Sequence, residues 1–486
     1  MFHSKNTKEM GKNKFQKTVW IVATVFLMMS CSDNFINLTP ISSTSSVNFY
    51  KSQSEFETAI TAVYRNWGSL FATRMTEYTE FRADTYTHIQ YSYYEISTNN
   101  FVTNTTSGLW NDLYKIIINS NVILDKIDAL DFDVNVKNRI KGEARFFRAE
   151  AYFLLVRFFG AVPLVVHEID SKQALEISKA PLADILTLIE DDYKFAKDNV
   201  QQSFAVDATF GRIHKWGVEG QLARFYITLS GKVYNQNCWA DAKPLLEDIL
   251  NNSPFKFANT FQEIFADDGS GETNPEIILT VLFKGGNGEF GNSYNRQFNV
   301  KTSGGPDFEP GLSDLFKPGD VRKDVSIQFG AVDLNNIYID KWDNVKLDWG
   351  NYNRTSETSS MNAYVLRYTD IQLLYAELLT ETAGMVSNQA IDLLNKSRVR
   401  AGLTAYTHAD ISDIDKFRLA MEEERRCELL FECVRWFDLV RTGRAVEVLQ
   451  GIGKSANDTW LLYPIPQTEI DKMGKDKLPQ NPGYPG

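Results

Sequence analysis

The densest run of ionisable side chains is Glu422-Glu423-Glu424-Arg425-Arg426, with Glu428 close behind. Two of its carboxyls would suit glycoside hydrolysis if they faced each other across a cleft at about 5 Å or about 6.5–9.5 Å. The spacing argues otherwise. Positions three and four apart are neighbours on a helix, so Glu422 with Arg425 and Arg426 reads as an ion-pair lattice beside the apolar face of Leu430, Val434 and Phe437. The run Asp267-Asp268-Gly269-Ser270-Gly271-Glu272 lacks the alternating ligands and terminal Glu of an EF-hand and reads as a solvated turn. Gly285-Gly286-Asn287-Gly288-Glu289-Phe290-Gly291 has neither the Lys-Ser/Thr of a P-loop nor the dinucleotide fingerprint. His3, His88, His167, His214 and His408 are scattered, and no G-x-S-x-G or H-E-x-x-H occurs. The expectation is a protein that is not an enzyme and holds no metal and no cofactor.

Recognition is the remaining chemistry, and aromatic side chains are its carriers. They make up 13% of the chain, and a ring in a polar loop offers a large contact area at low entropic cost. Two separated groups stand out. The first is Tyr86, Tyr91, Tyr93 and Tyr94, beside Asp84 and Asn99; the second is Trp342, Trp349 and Tyr352, with Tyr294 as a further member. Trp342 and Trp349 lie among Asp, Asn and Lys without apolar periodicity, which favours them over rings that pack inward. Tyr and Trp are often largely buried, so half or more of these positions are expected to serve the core instead.

One cysteine carries a different chemistry. Cys31 follows a basic start (Lys12, Lys14, Lys17) and the apolar run Thr18–Met29. That run falls well short of the roughly 20 apolar residues that cross a bilayer and suits the core of a secretory signal. Ser30-Cys31 then gives the small residue and thiol at which bacterial lipoprotein signals are cut and acylated. Each buried methylene of an acyl chain contributes about 0.8 kcal/mol, so several chains make a lasting anchor. The Ser/Thr-rich stretch that follows, Thr39–Ser46, has no helical period and reads as a tether.

The elements that must position these groups are mainly helices. Trp110, Tyr114, Ile117, Asn121, Leu124 and Ile127 recur at steps of three and four, as do Ile140, Ala144, Phe147, Ala151, Leu154 and Phe158. The second of these helices meets Gly160 and then Pro163, a stop signal. Further helices are expected over Leu182–Ala196, Ile213–Leu229, Trp239–Leu250, Tyr364–Glu381, Asn388–Arg400 and Ile414–Val440. Trp110-x-x-Leu113 and Ala149-x-x-x-Phe153 match pieces of the tetratricopeptide pattern, although the span from Trp110 to Pro163 exceeds one 34-residue repeat. The fold class is therefore mainly α, with degenerate tetratricopeptide-like helical hairpins and a loop-rich, β-poor insertion. That insertion covers 266–360, where glycines cluster and only brief strands are expected, at Ile277–Phe283 and Val325–Phe329. The organisation expected is a signal at 1–30, a lipidated tether at 31–48, a helical repeat region at 49–265 and a C-terminal region at 266–486 that carries the irregular ligand-binding loops and closing helices.

Composition narrows the partners. The net charge is −11, and removal of residues 1–30 takes away five Lys and one Glu, leaving about −15. Such a body repels nucleic acid and an anionic membrane surface, so membrane contact is expected through the anchor only. Cys238, Cys427 and Cys433 are too few for a disulfide framework and not at zinc spacing, and are expected to be free thiols.

Four motifs in order resemble the SusD/RagB family of outer-membrane nutrient-binding lipoproteins. They are Cys31-Ser32-Asp33-Asn34-Phe35-Ile36-Asn37-Leu38-Thr39-Pro40; Glu143-Ala144-Arg145-Phe146-Phe147-Arg148-Ala149 through Gly160-Ala161-Val162-Pro163-Leu164; Glu424-Arg425-Arg426-Cys427-Glu428-Leu429 through Arg435-Trp436-Phe437-Asp438-Leu439-Val440-Arg441; and the closing Leu462-Tyr463-Pro464-Ile465-Pro466 with Gln480-Asn481-Pro482-Gly483-Tyr484. The resemblance implies a helical repeat scaffold with a loop-rich half that captures an oligosaccharide or polysaccharide. It also implies a location at the outer membrane, facing the cell surface, and a TonB-dependent SusC-type transporter on which the lipoprotein sits as a lid. Peptide capture on the same scaffold, and a surface glycoside hydrolase, are the rival expectations.

Overall fold

The computed structural model describes residues 49–88, 91–101, 104–202, 211–266, 274–283, 306–308, 312, 314–329, 337–339, 341 and 362–485. Cys31, the signal and the tether lie outside these residues, as do Tyr294, Trp342, Trp349, Tyr352 and the runs 267–272 and 285–291. Residues 56–486 belong to one compact unit.

The first helix, α1 (Gln53–Ser69), buries Phe56, Ile60, Val63 and Trp67, one face at steps of three and four. A π-helical turn, Leu70–Arg74, leads into α2 (Met75–Thr79). The next stretch, which carries the first aromatic group, forms the short strand β1 (Tyr86–His88) and the helix α3 (Tyr91–Thr98). Then come α4 (Ser107–Lys126), α5 (Val134–Phe159), the single turn α6 (Ser171–Ala174), α7 (Leu182–Asn199), α8 (Lys215–Ser230) and α9 (Trp239–Asn252). Each long helix packs on the next: α4 on α5, α5 on α7, α7 on α8, and α8 on α9. The stack continues through α9 on α11 (Tyr368–Ala383), which packs on α12 (Asn388–Arg400); both meet α14 (Ile414–Glu428).

Local chemistry sets the ends of these helices. Asp133 caps α5 by accepting from the backbone N–H of Asn135 and Val136, at 2.8 and 3.2 Å. Gly160 closes the same helix at φ +73°, ψ −137°, a conformation that suits glycine. A Cβ there would also lie 2.9 Å from Leu462.

Between Asn252 and Tyr368 only short elements occur among the described residues: the 3₁₀ turn Gln262–Phe265, β2 (Ile277–Val281), β3 (Pro306–Phe308), α10 (Arg322–Ser326), β4 (Ile327–Phe329), β5 (Ile337–Ile339) and β6 (Ala363–Arg367). They form three antiparallel pairs, β1 with β3, β2 with β6 and β4 with β5. Two expectations need correction. The apolar run from Tyr364 was expected as the start of a helix, but residues 363–367 form a wholly buried strand against β2 before α11 begins. Buried strands read as continuous apolar runs, so periodicity alone cannot separate them from a buried helix. The helix expected over Ile414–Val440 is also broken. It stops at Glu428, turns through Leu429–Val434, and resumes as α15 (Arg435–Thr442). Phe431 and Cys433 in that turn both have positive φ, +63° and +62°. After α15 come α16 (Ala445–Gly451) and α17 (Gln467–Met473); α13 (His408–Ile411) precedes α14.

The C-terminal segment closes the first half of the chain. Tyr463, fully buried, donates its backbone N–H to Phe158 O at 2.7 Å and its hydroxyl to Tyr78 O at 2.8 Å. The Asn481 amide donates to Phe159 O and Tyr463 O at 2.9 and 2.7 Å.

Candidate functional site

The turn Leu429–Val434 organises both chain segments that carry the aromatic candidates. Glu80, just after α2, accepts from Cys433 N–H at 2.8 Å and from the Thr85 hydroxyl at 3.0 Å. Four residues on, Asp84 receives a bidentate grip from Arg435, 2.8 Å on each oxygen, and a second cation, Arg426, at 3.1 Å. From the other side Lys341, buried, donates to Glu428 O, Leu430 O and Glu432 at 3.1, 2.9 and 2.6 Å. Arg367, at the end of β6, fixes the same turn through Glu432 (2.8 Å on each oxygen) and Glu428 O (2.9 Å). A turn with two non-glycine residues at positive φ costs of order 1–3 kcal/mol per residue and persists only where its surroundings hold it. Here three ionisable side chains, Glu80, Lys341 and Arg367, do so.

Electrostatics shows how tightly. Burial alone would raise the Asp84 carboxyl, but Arg435 and Arg426 outweigh it and hold the group at about 2. Among the described residues no cation is bonded to Glu80, and burial pushes it up to about 7 against its two hydrogen bonds and the more distant Lys341. Burial draws the Lys341 ammonium down to about 8, against the pull of Glu432.

Behind the turn lies a network of buried charges. Arg367, Arg400 and Arg322 converge on Glu428, whose carboxyl they hold at about 2 despite its burial. Arg367 and Arg400 also share Glu276, and Arg322 takes Asp320 and Glu424. The lattice expected within Glu422–Glu428 is therefore real in kind but differs in its partners. Glu422 pairs with Arg435 and Arg444, Glu423 with Lys317, Arg425 with Asp370 and Asp438, each from another element. These carboxylates clamp the fold through their arginine and lysine partners.

The sequence-derived site residues divide by place. Asp84 is a buried clamp. Asn99, also buried, ends α3 at φ +58° and donates its amide to Ser455 O at 2.8 Å. Both hold the segment rather than face solvent. Tyr94 is 47% exposed. Tyr86 lies on β1, and Tyr91 and Tyr93 on α3. The pairing of β1 with β3 sets Tyr86 opposite Phe308, Thr87 opposite Asp307 and His88 opposite Pro306. The segment of the first aromatic group is thus joined directly to the irregular region. Lys341 immediately precedes Trp342, so the residue before that tryptophan is fixed to the same turn as Glu80. Sequence reasoning missed Lys341 and Glu80, which bond a turn remote in the chain and which no local pattern marks, and met Arg435 only inside a family motif.

Comparison with known proteins covers both halves. Residues 34–227 match a family model described as starch-binding associating with outer membrane, and residues 335–484 match the model of the SusD family. A SusD-like protein of Formosa agariphila is 24% identical over 96% of this chain and 98% of its own. Among solved structures, a SusD homologue from Bacteroides thetaiotaomicron has a TM-score of 0.77 at 22% identity, covering 91% of this chain and 99% of that one. A laminarin-binding SusD-like protein has a TM-score of 0.72 at 23% identity, covering 89% and 99%. The second match begins inside the insertion, at residue 335, and the motifs at Glu143–Leu164, Glu424–Arg441 and Leu462–Tyr484 fall inside the matched ranges. The chain belongs to the SusD/RagB family.

Proposed function

We propose that this protein is a glycan-capture lipoprotein, anchored through Cys31 at the outer membrane and facing the cell surface. It takes up an oligosaccharide on the segments Tyr86–Asn99 and 306–352 and hands it to a TonB-dependent SusC-type transporter, which it covers as a lid. The observation that carries the reading is the junction of those two segments: β1 pairs with β3, and both Glu80, just ahead of β1, and Lys341 are fixed to one turn. Recognition loops on a rigid scaffold lose little entropy on binding. Family membership and the laminarin-binding neighbour support carbohydrate as the ligand class. Sugars present apolar C–H faces and dense hydroxyls, which rings with Asn, Asp and Arg are suited to meet.

The test is a glycan array with the purified body lacking residues 1–31, followed by calorimetry on the glycans bound. Alanine at Trp342 or Trp349 is expected to weaken binding by about 1–2 kcal/mol, the scale of a stacking contact and its buried area, with an unchanged melting temperature. Unchanged affinity in both variants would place the site elsewhere. New reducing ends that track one carboxylate would replace capture by hydrolysis.

A further inference from the structure

A cavity of about 450 Å³ lies outside the segments assigned above. Its walls come from the end of α8 and the loop into α9, the C-terminal half of α11, α14 from Asp415 to Arg425, and α15 through to Arg444. The volume is that of a small-molecule site, about 300–1,000 Å³.

Its carboxylates are already matched. Glu377 is bidentate to Arg441 at 2.5 and 2.9 Å, and Asp438 bridges Arg425 and Arg441. Glu422 takes Arg435 and Arg444, while Glu381 and Asp415 share Arg418. The cation left over is Lys232. It is exposed, and among the described residues its ammonium makes no ion pair and no hydrogen bond. Beside it, the exposed Asn235 amide and the ring N–H of half-buried Trp239 are likewise unbonded. Arg418 and Arg444 are partly exposed and keep N–H groups beyond those their carboxylates use.

The turn that presents Lys232 and Asn235 is preformed. Lys232 N–H donates to Arg441 O at 2.7 Å, and Asn235 N–H to Gly231 O at 2.8 Å with Asn235 at φ +50°. Gly231 is required there, because a Cβ would lie 2.5 Å from Arg441 O. A ring, an unmatched ammonium and several spare donors thus converge on a cavity whose acids are neutralised.

We propose that this cleft is a second saccharide site, independent of the aromatic segments, and that its ligand is acidic, a uronate-containing oligosaccharide. A sugar face stacks on Trp239, the carboxylate meets Lys232, and hydroxyls accept from Asn235, Arg418 and Arg444. The net charge of the chain, −11, disfavours non-specific capture of polyanions, so binding of one reports a local site.

Calorimetry of the purified body with tetrasaccharides of galacturonate, mannuronate and glucuronate tests this. At least one is expected to bind, and to lose about tenfold or more in affinity with Trp239→Ala, with Lys232→Gln, and on methyl esterification of the sugar carboxylates; each tenfold loss corresponds to about 1.4 kcal/mol. Trp342→Ala should leave that binding intact. Lys232 is exposed and unpaired, so its variant decides the matter should Trp239→Ala fold poorly. The proposal fails if none of the three binds at millimolar concentration, or if Lys232→Gln or the methyl ester changes nothing. Loss with Trp342→Ala but not Lys232→Gln would assign the uronate to the aromatic segments, overturning this site while leaving the earlier reading in place.

Discussion

Two carboxyls four residues apart, Glu80 and Asp84, carry opposite pH dependences. Glu80 titrates at about 7 in the fold against an ordinary 4.5, so the folded protein holds that proton more tightly than the unfolded chain. Its contribution is complete below pH 4.5 and is lost as the pH rises through about 7. Glu80→Gln keeps an acceptor for Cys433 N–H and cannot ionise. It is expected to flatten the decline between pH 4.5 and 7, and to be more stable than the wild type at pH 8 by about 1–3 kcal/mol. Urea melts from pH 5 to pH 8 provide the check, and parallel curves would mean that Glu80 is ionised throughout. Asp84 runs the other way: held at about 2, its contribution is present above 3.8 and lost as the pH falls through about 2. Neither role was legible in the sequence. Asp84 beside a tyrosine-rich stretch reads as a ligand contact, and its partner Arg435 lies 351 residues away.

At the scale of elements, the sequence was legible wherever one face is apolar and the ends are punctuated. The helix expected over Asn388–Arg400 has those bounds, with Ser387 capping it, and the stop expected at Gly160 is where α5 ends. Phe56, Ile60, Val63 and Trp67 of α1 carry the same periodic signal, which went unused. What failed has a physical cause. In Ala363–Arg367 every residue is buried, so no polar face marks the strand. Leu429–Val434 has neither Gly nor Pro, so its positive-φ turn is imposed by Lys341, Arg367 and Glu80 from outside. Gly160 makes the converse point, and Gly160→Ala should destabilise the protein by about 1–3 kcal/mol through backbone strain and the clash with Leu462. A thermal melt decides; an unchanged midpoint would mean that the α5 exit relaxes freely.

For the whole molecule, the helical stack was legible and its closure was not. The motif Leu462–Pro466 appears in the sequence only as a family signature. In the structure it is a strap: Tyr463 bonds Phe158 and Tyr78, Thr106 donates to Pro464 O at 2.8 Å, and Lys179 N–H donates to Lys477 O at 2.8 Å. Truncation after Trp460 removes these bonds and uncovers Phe158 and Phe159 at the end of α5. Loss of the cooperative thermal transition is expected, measured by circular dichroism; a truncated chain melting near the wild-type temperature would make the strap an ornament. The strap also has a consequence for biosynthesis. Residues 461–484 are made after the helices they close, so the hydrophobic end of α5 waits for partners some 300 residues downstream, and such long-range closure is slow. A chain whose first half stays unsealed until so late in translation keeps the apolar end of α5 open to other contacts until its last residues emerge.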